Sequence, residues 1–508
     1  MKRTLITAIV AAAALVLAAC SPNGGSAAGG NSGSGDLSSL DMGTFLDMTT
    51  WDPAKADIGF EVTYLSAVYD SLVALDENSE PIPSLATDWS YSKDYLTLTM
   101  QLREGITFTD GEKFDARAAV ANLKHLNDGI RSQQAYRNVK SIEATGDYSI
   151  EIHLSEKDDA LLYFMGLGRS WMVSPAALKS GELDKEPVGS GPYTFNAQAS
   201  TPGSEYHFVK KDDYWNDELF PFDEVTMHPI NDPTASLNAM LSGQLDVIYA
   251  MPQNIPQAEE HGWNIYKGVA SWVGIQFADR KGEQLEPLAD KKVRQALNYA
   301  FQTGPMLESA GPGAGTQTNQ VFSVDGPVHS EELDSRYAYN LDKAKELLAE
   351  AGYADGFEVS MPMSTIYQPW QAATEQTLSK LGITVKWEDL SPADYQTNAS
   401  TYPMFLAVIA LDSNPIATVQ RQIASSQWYN PEPVTELSPE IAELTQKAKK
   451  ATGDEQLATL KKLNEAIAEA APWSLWYQSN NVYFAVEGVE VTPITGMMFP
   501  QLRYIQKG

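Results

Sequence analysis

The chain has 508 residues, of which 43% are hydrophobic and 20% are charged, the composition of an ordinary globular protein. Acidic residues (66) outnumber Lys and Arg (36), so the formal net charge is −30 at pH 7. This surplus argues against nucleic acid and anionic lipid as partners, because both bind cationic faces. The acidic residues are dispersed along the chain, which indicates a solubilising surface; a cationic ligand is the alternative.

The first 20 residues have the pattern of an export signal. Lys2 and Arg3 precede an apolar run from Leu5 to Leu17, which is as long as the core of a signal peptide and too short to cross a bilayer. Cys20, the only cysteine of the chain, follows three small or apolar residues. A cysteine at this point is the signature of a bacterial lipoprotein, and an ordinary secreted protein is the alternative. We predict a signal peptide over 1–19 and a lipid anchor on Cys20 that holds the protein at the outer face of the cell membrane, in the periplasm if the cell has an outer membrane.

Residues 20–39 are predicted to be a flexible tether, because Gly, Ser, Ala and Asn dominate them and cannot bury a core. The remaining chain is too long for a single hydrophobic core, so two large domains or more are expected. With Cys20 used by the anchor, no disulfide can form in those domains.

Helix and strand patterns alternate from about residue 40 onwards. Apolar residues from Val62 to Leu72 recur at helical spacing, and Leu96–Leu102 alternates with polar residues as a half-buried strand does. Asp115 and Asn340 are predicted helix caps. Two strand-like pieces, FEVSM and ITVKW, flank the helical piece TEQTLSKLG, a βαβ pattern that predicts a parallel sheet. The continuous apolar run MFLAVIAL, residues 404–411, predicts a strand buried on both faces.

Six or more motifs in this order resemble the solute-binding proteins of peptide and nickel ABC importers, known as family 5. One carries the pattern P.LA..W..S.D..T.T..LR.GI.F.DG..F.A, beginning near residue 83. The others are PVGSGPYTF (187–195), KKDDYWN (210–216), SLNAMLSGQLDVIY (236–249), DKKVRQALNYAF (290–301) and NLDKAKELLAEAGY (340–353). The resemblance covers nearly everything from about residue 40 to residue 503.

The resemblance implies an α/β, two-lobed periplasmic-binding-protein-like fold with two crossing segments and an extra subdomain in lobe one. Carried over to this chain, lobe one spans 40–270 plus 480–508, with the subdomain over about 82–186, and lobe two spans 271–479. The crossings are expected near SWVGIQF and near WYQSNNV. A ligand would be enclosed between the lobes.

One carboxylate is a candidate ligand contact by the same resemblance. In peptide-binding relatives, an Asp after a buried strand of lobe two pairs with the ammonium of the peptide; here Asp412 follows MFLAVIAL and precedes Pro415. The alternative is an Asp that caps a turn. Some dipeptide binders place an Arg near the position of Ser364–Gln371, but this stretch has none. Arg421 is close to Asp412 in sequence, and we interpret it as a solvated helix arginine.

By the same resemblance, several aromatic residues in predicted loops and crossings are expected to face the cleft, and aromatic faces suit peptides and stack on sugars. For each of them, simple packing in the core is the alternative to ligand contact. These residues are Trp51, Trp272, Tyr367, Trp370 and Trp428.

The sequence lacks the common catalytic motifs. The sequence has no Gly-x-Ser-x-Gly elbow, no phosphate-binding Gly-x-x-x-x-Gly-Lys loop and no His-Glu-x-x-His. The six histidines are scattered, and their spacing gives no support for a metal site. We therefore predict no enzyme activity, no catalytic residue, no resident metal and no cofactor.

The sequence thus predicts a monomeric lipoprotein that captures a small solute, an oligopeptide first of all, and delivers it to ABC permease subunits. An oligosaccharide and a chelated metal are the alternatives within the family. A receptor without transport and a secreted hydrolase are the alternatives from other classes. Contact with the membrane is expected through the lipid anchor only.

Overall fold

Strands and helices alternate along residues 37–508, the part of the chain that the computed structural model describes. Cys20, the predicted signal peptide and nearly all of the predicted tether lie outside the described residues. The strands are β1 (Ser39–Thr44), β2 (Val73–Leu75), β3 (Pro81–Pro83), β4 (Ala86–Tyr91), β5 (Thr97–Leu102), β6 (Val139–Gly146), β7 (Ser149–Leu154), β8 (Tyr193–Phe195), β9 (Tyr206–Lys210), β10 (Glu224–Pro229), β11 (Val247–Ala250), β12 (Asn264–Phe277), β13 (Gly315–Gln317), β14 (Glu358–Met363), β15 (Thr384–Asp389), β16 (Met404–Ala410), β17 (Trp473–Ala485), β18 (Val489–Val491) and β19 (Ile505–Lys507).

Helices fill most of the connections between these strands. They are α1 (Val62–Val68), α2 (Ala116–Asp128), α3 (Leu161–Phe164), α4 (Pro175–Ser180), α5 (Pro233–Leu241), α6 (Ile255–His261), α7 (Lys291–Ala300), α8 (Thr303–Ala310), α9 (Glu331–Asp334), α10 (Leu341–Glu350), α11 (Gln368–Ser379), α12 (Pro392–Asn398), α13 (Pro415–Thr418), α14 (Pro439–Lys450) and α15 (Gly453–Ala470). None of the helices within residues 37–508 combines the length and the apolar character that crossing a bilayer requires.

The long strands β12 and β17 run antiparallel, side by side, in one mixed sheet whose order is β16-β12-β17-β11-β1-β10-β9-β8. The second half of β12 pairs with β16, whereas the last residues of β17 pair with β11. The pairing of β12 with β17 is irregular between Val269 and Ser271 and again between Val273 and Gly274. The two strands therefore connect the two ends of the sheet, and the expected crossings near SWVGIQF and WYQSNNV lie on them.

A separate antiparallel sheet, in the order β4-β5-β7-β6, packs with α2. The alternation predicted for Leu96–Leu102 is confirmed by β5, whose residues are alternately half-exposed and buried. Asp115 caps α2 by accepting hydrogen bonds from the backbone N–H groups of Arg117 and Ala118. This sheet lies within the predicted extra subdomain.

The predicted βαβ unit is confirmed by β14, α11 and β15, because β14 and β15 pair in parallel. Asn340 caps α10, as predicted, by accepting from the N–H of Lys343 at 2.9 Å. The predicted buried strand is β16, which ends at Ala410. These elements surround one apolar core, built mainly from residues 273–408.

One predicted helix is shorter than its spacing suggested. The helix over residues 62–72 ends at Val68, and residues 73–75 form β2 instead. The carbonyl of Val68 accepts from the N–H of Gly191, and a Cβ on Gly191 would lie 2.4 Å from the carbonyl carbon of Val68. The PVGSGPYTF turn therefore occupies a backbone carbonyl that a longer helix would use for its own hydrogen bond. Only glycine allows this close approach.

Candidate ligand-binding cleft

A cavity of about 610 Å³ lies between residues that the sequence assigns to the two lobes. Phe60, Phe164 and Leu167 line it from predicted lobe one, and Tyr367 and Tyr395 line it from predicted lobe two. Its volume falls in the range of small-molecule sites, and its wall combines apolar side chains with a few polar groups, as such sites do.

Hydrogen bonds bridge the two sides of the cleft at one end. Gln420 donates its Nε2 to Asp158 at 2.7 Å, and Gln134 donates to the Oε1 of Gln427 at 3.0 Å. The side-chain amide of Gln456 also reaches the carboxylate of Asp159, at 2.7 Å. Asp158 is buried, and this burial raises its pKa despite the hydrogen bonds from Gln420 and Asn138. The structure thus has the two walls in contact.

Two of the predicted aromatic contacts line the cavity. Tyr367 stacks on Tyr395 with ring centroids 4.5 Å apart, which fixes both rings on one wall. Trp428 keeps 44% of its surface exposed, and Ile366, which also lines the cavity, keeps 59%. Large apolar side chains left exposed inside a concave site are typical of ligand contacts.

The other three predicted aromatic contacts do not line this cavity. Trp370 donates its indole N–H to the hydroxyl of Tyr477 at 2.8 Å. Trp272 is buried on β12 and donates to Gln422 at 2.8 Å. The ring of Trp51 is buried against Phe195, 5.1 Å between centroids. Their roles in binding stay predictions.

Asp412 lies directly behind the wall of the cavity. Its side chain has no exposed surface, and its Oδ1 accepts from the Nη1 of Arg421 at 2.8 Å. Its Oδ2 is buried and has no hydrogen-bond partner among the described residues. Burial raises the pKa of Asp412, and Arg421 counters part of that rise. Contact with a ligand ammonium stays a prediction, and the observed partner of Asp412 is a guanidinium.

Arg421 faces the cavity, so the interpretation of a solvated helix arginine is wrong. The side chain is 25% exposed and lines the cleft. It stands on a single wide helical turn of the π type, Val419–Ile423, a rare geometry that is frequent at functional sites. Burial alone would lower the pKa of Arg421, but Asp412, Tyr429 and Tyr163 together outweigh burial and raise it.

Three more arginines, which the sequence did not indicate as contacts, line the cleft: Arg131, Arg137 and Arg169. Arg131 pairs with Asp57 at 2.8 Å. Arg137 bonds to the carbonyl of Gln420 at 3.2 Å and to the hydroxyl of Ser425. Neither set of contacts could be predicted from local sequence spacing, because the partners are far apart in the chain.

Arg169 had a local signal that could have been found. It interrupts the apolar stretch LLYFMGLGRSWMV, and a charge in such a stretch is a buried charge that needs a partner. It ends a second π-type turn, Met165–Arg169, in which Gly168 has a φ of +107°. The hydroxyl of Tyr136 donates to the carbonyl of Arg169 and so fixes its backbone.

A larger depression of about 780 Å³ lies elsewhere, lined by residues such as Lys281, Lys291 and Glu469. Its charges satisfy one another, as in the pairs Lys281–Glu436 at 2.9 Å and Lys291–Glu469 at 2.6 Å. It therefore has the character of a solvated surface groove, and the smaller cleft is the better candidate site.

Glu143, Glu151 and His153 also come together, on the sheet formed by β6 and β7 and away from the cleft. His153 bonds to Glu143 at 2.7 Å, and Glu143 is exposed. This trio is explained as a surface ion pair, which is common on exposed sheets.

The chain is similar in sequence and in fold to several known binding proteins. The glutathione-binding protein GsiB of Escherichia coli (strain K12) is 29% identical over 346 residues, which cover 66% of each chain, just under two thirds of that relative. Two solved structures cover 92% of this chain: DppA from Helicobacter pylori in complex with peptide STSA (22% identity, 98% of that chain, TM-score 0.78) and AgaA from A.tumefacien R10 in complex with agropinic acid (23% identity, 99% of that chain, TM-score 0.78). The predicted α/β fold of the periplasmic-binding-protein type is confirmed by these likenesses.

The family model of the bacterial extracellular solute-binding proteins, family 5, matches residues 80–431. This range includes the four arginines of the cleft, Asp412 and both π-type turns. It covers more than half of the chain, and the resemblance found in the sequence agrees with it. The chain therefore belongs to family 5 of the bacterial extracellular solute-binding proteins.

Proposed function

We propose that this protein is the solute-binding component of an ABC importer, and that it captures a small peptide-like solute and delivers it to the permease. The observation that carries the proposal is the cavity of about 610 Å³, whose walls come from both predicted lobes. Enclosure between two walls supplies affinity by removing apolar surface from water, and a few polar groups fix the orientation of the solute. No chemical step is required of the protein.

Capture by two lobes needs a hinge, and β12 and β17 are the candidates. The proposed boundaries, after residue 270 and after residue 479, meet at the irregular pairing between Val269 and Ser271, opposite Ser479 and Asn480. A solute that binds the closed arrangement more tightly than the open one shifts the protein towards closure. The hydrogen bonds of Gln420 to Asp158 and of Gln456 to Asp159 would then form on closing.

The names of the relatives support a peptide-like solute. GsiB is named for glutathione, DppA was solved with a peptide and AgaA with agropinic acid. The stacked pair Tyr367 and Tyr395 offers a flat apolar face that suits the side chains and amide planes of such solutes.

Attachment to the membrane is proposed through a lipid on Cys20, with the protein acting as a monomer beside its permease. A body held by a short tether stays at a high effective concentration near its partner. The substitution Cys20→Ala is expected to move the protein from the membrane fraction to the soluble fraction. A variant that stays with the membrane would contradict the anchor.

Release of the bound solute tests the proposed function. The full chain is purified without added ligand and heated, and the released molecules are identified by mass spectrometry. The released solute is then titrated back by calorimetry. We expect a stoichiometry of one, a higher Tm with solute and recovery of the solute unchanged. Recovery of a chemically altered solute would point to an enzyme instead.

A further inference from the structure

The wall of the cleft has the opposite charge to the protein as a whole. Four of the residues that line the cavity are arginines, and Asp57 is the one acidic residue in the same lining. The whole chain carries −30. A patch of one sign, inside an apolar cavity and against the sign of the molecule, concentrates a ligand of the other sign.

The four arginines differ in how their charge is compensated. Arg131 pairs with Asp57, and Arg421 pairs with Asp412, both at 2.8 Å. Within residues 37–508, no carboxylate oxygen lies within 4.0 Å of the guanidinium nitrogens of Arg137 or Arg169. Two positive charges of the wall therefore lack a direct counter-charge.

Of these two arginines, Arg169 has the greater need of a partner. Its Nη1 is buried and has no hydrogen-bond partner among the described residues. Burial lowers the pKa of Arg169 to about 10, with the charge of Asp57 opposing this fall and that of Arg421 adding to it, so the side chain is still protonated at neutral pH. An unpaired buried charge next to another cation is costly, and an anion placed against it would remove that cost.

The geometry of the two walls suits an anion between them. Arg169 stands on the turn Met165–Arg169 and Arg421 on the turn Val419–Ile423, one from each predicted lobe. Asp412 holds Arg421 from behind and does not face the cavity. A planar guanidinium recognises a carboxylate through two parallel hydrogen bonds, which a lysine cannot reproduce.

We infer that the cleft selects an acidic solute with two carboxylate groups, one of them bound to Arg169, whose apolar part contacts Trp428 and Ile366. This inference rests on the proposed function and adds the chemical class of the solute. The second carboxylate neutralises the remaining positive charge, which Arg137 brings beside Gln420. A closed cleft would thereby carry a compensated set of charges only when it is occupied.

The test measures affinity for matched pairs of probes by calorimetry on the full chain. Each pair differs by one carboxylate: alanyl-glutamate against alanyl-glutamine, and glutathione against its amide at the glycine end. We expect each acid to bind about 30-fold more tightly than its amide, the effect of a charged hydrogen-bonded pair in a desolvated site. Equal binding of acid and amide would overturn the inference.

Variants then assign the preference to a residue. Arg169→Met should reduce the acid preference to about threefold or less, Arg169→Lys should keep part of it, and Arg117→Met should leave it unchanged, since Arg117 is 86% exposed on α2. The Tm of the empty Arg169→Met protein should equal or exceed that of the wild type, because the variant removes an unpaired charge. An Arg169→Met protein that retains the full preference would overturn the assignment.

The outcomes separate this inference from the proposed function. If the wild type releases no solute on heating and none of the probes binds, capture itself is contradicted. If it binds or releases only neutral or cationic solutes, capture stands and the acidic class is wrong. If it binds acids and loses them on Arg169→Met, both are supported.

Discussion

The two walls of the cleft present their arginines in the same way and compensate them differently. Arg421 and Arg169 each occupy a π-type turn, Val419–Ile423 and Met165–Arg169. Behind Arg421 lies the fully buried Asp412, at 2.8 Å. The Nη1 of Arg169 has no partner within residues 37–508. Arg421 thus has a carboxylate partner within the protein, and Arg169 has none within 4.0 Å among the described residues.

This difference suggests a division of labour between the walls. A guanidinium already paired with a carboxylate is held in one orientation and contributes less net charge. A guanidinium without a carboxylate partner keeps more of its hydrogen-bonding capacity for a solute. The wall with Arg421 and Asp412, here called the paired wall, would therefore position a solute. The wall with Arg169, the unpaired wall, would supply most of the preference for acid. The following substitutions act on one wall at a time.

The largest effect is expected from Asp412→Ala, which breaks the paired wall from behind. It leaves the charge of Arg421 without its counter-charge, and the free energy of unfolding should fall by about 2–4 kcal/mol. The quarter of Arg421 that remains exposed keeps the loss below that of a fully buried pair. Urea denaturation measures it. Glu346→Ala, which breaks the exposed pair with Lys343, is the control and should cause no measurable change. Equal stability of the two variants would contradict a structural role for Asp412.

Arg421→Met removes the other partner of the pair, and its cost should depend on pH. Burial already raises the pKa of Asp412 above its ordinary value of 3.8, and loss of Arg421 raises it further. A carboxyl group with a raised folded-state pKa contributes its full stability below the unfolded-state pKa and loses it as pH rises through the folded-state value. The variant should therefore be close to the wild type near pH 4 and about 1–3 kcal/mol less stable at pH 8. Thermal and urea unfolding across this range check the sign, with Arg117→Met as the control. A deficit that shrinks as the pH rises would show that the sign is wrong.

Gly168→Ala perturbs the unpaired wall through its backbone. Gly168 has a φ of +107°, and a Cβ there would lie 3.2 Å from the indole nitrogen of Trp171. We expect a loss of about 1–2 kcal/mol together with a weaker preference for acids, because the turn that carries Arg169 must shift. Gly181→Ala is the matched control: its φ is +72°, and nothing lies within 4 Å of the added carbon. If both variants kept the full preference for acids, the turn would not position Arg169.

Local patterns predicted the fold well where the interactions are local. The caps Asp115 and Asn340 bond to N–H groups two or three residues away, and the parallel pair β14 and β15 follows from one βαβ unit. The helix after residue 62 was predicted too long because its end is decided by Gly191, more than a hundred residues away. Long-range contacts of this kind leave no trace in local periodicity.

The cleft was predicted only in part for the same reason. Tyr367 and Trp428 were predicted as contacts and line the cavity, and Asp412 was identified as special without its partner. The four arginines converge from positions 131, 137, 169 and 421, so only the folded chain brings them together. The apolar stretch around Arg169 was the one local indication of a buried charge.

The long strand β17 also has a consequence for how the molecule is assembled. Its first residues pair with the end of β12, and its last residues pair with β11. The pairing of β11 with β17 therefore requires contact between residues as far apart in the chain as Val247 and Ala485. Contacts over such separations close large loops, which slows folding without weakening the final state. The sheet is thus completed late, and a chain interrupted before residue 473 would leave β11 and β12 without the strand that pairs with both of them.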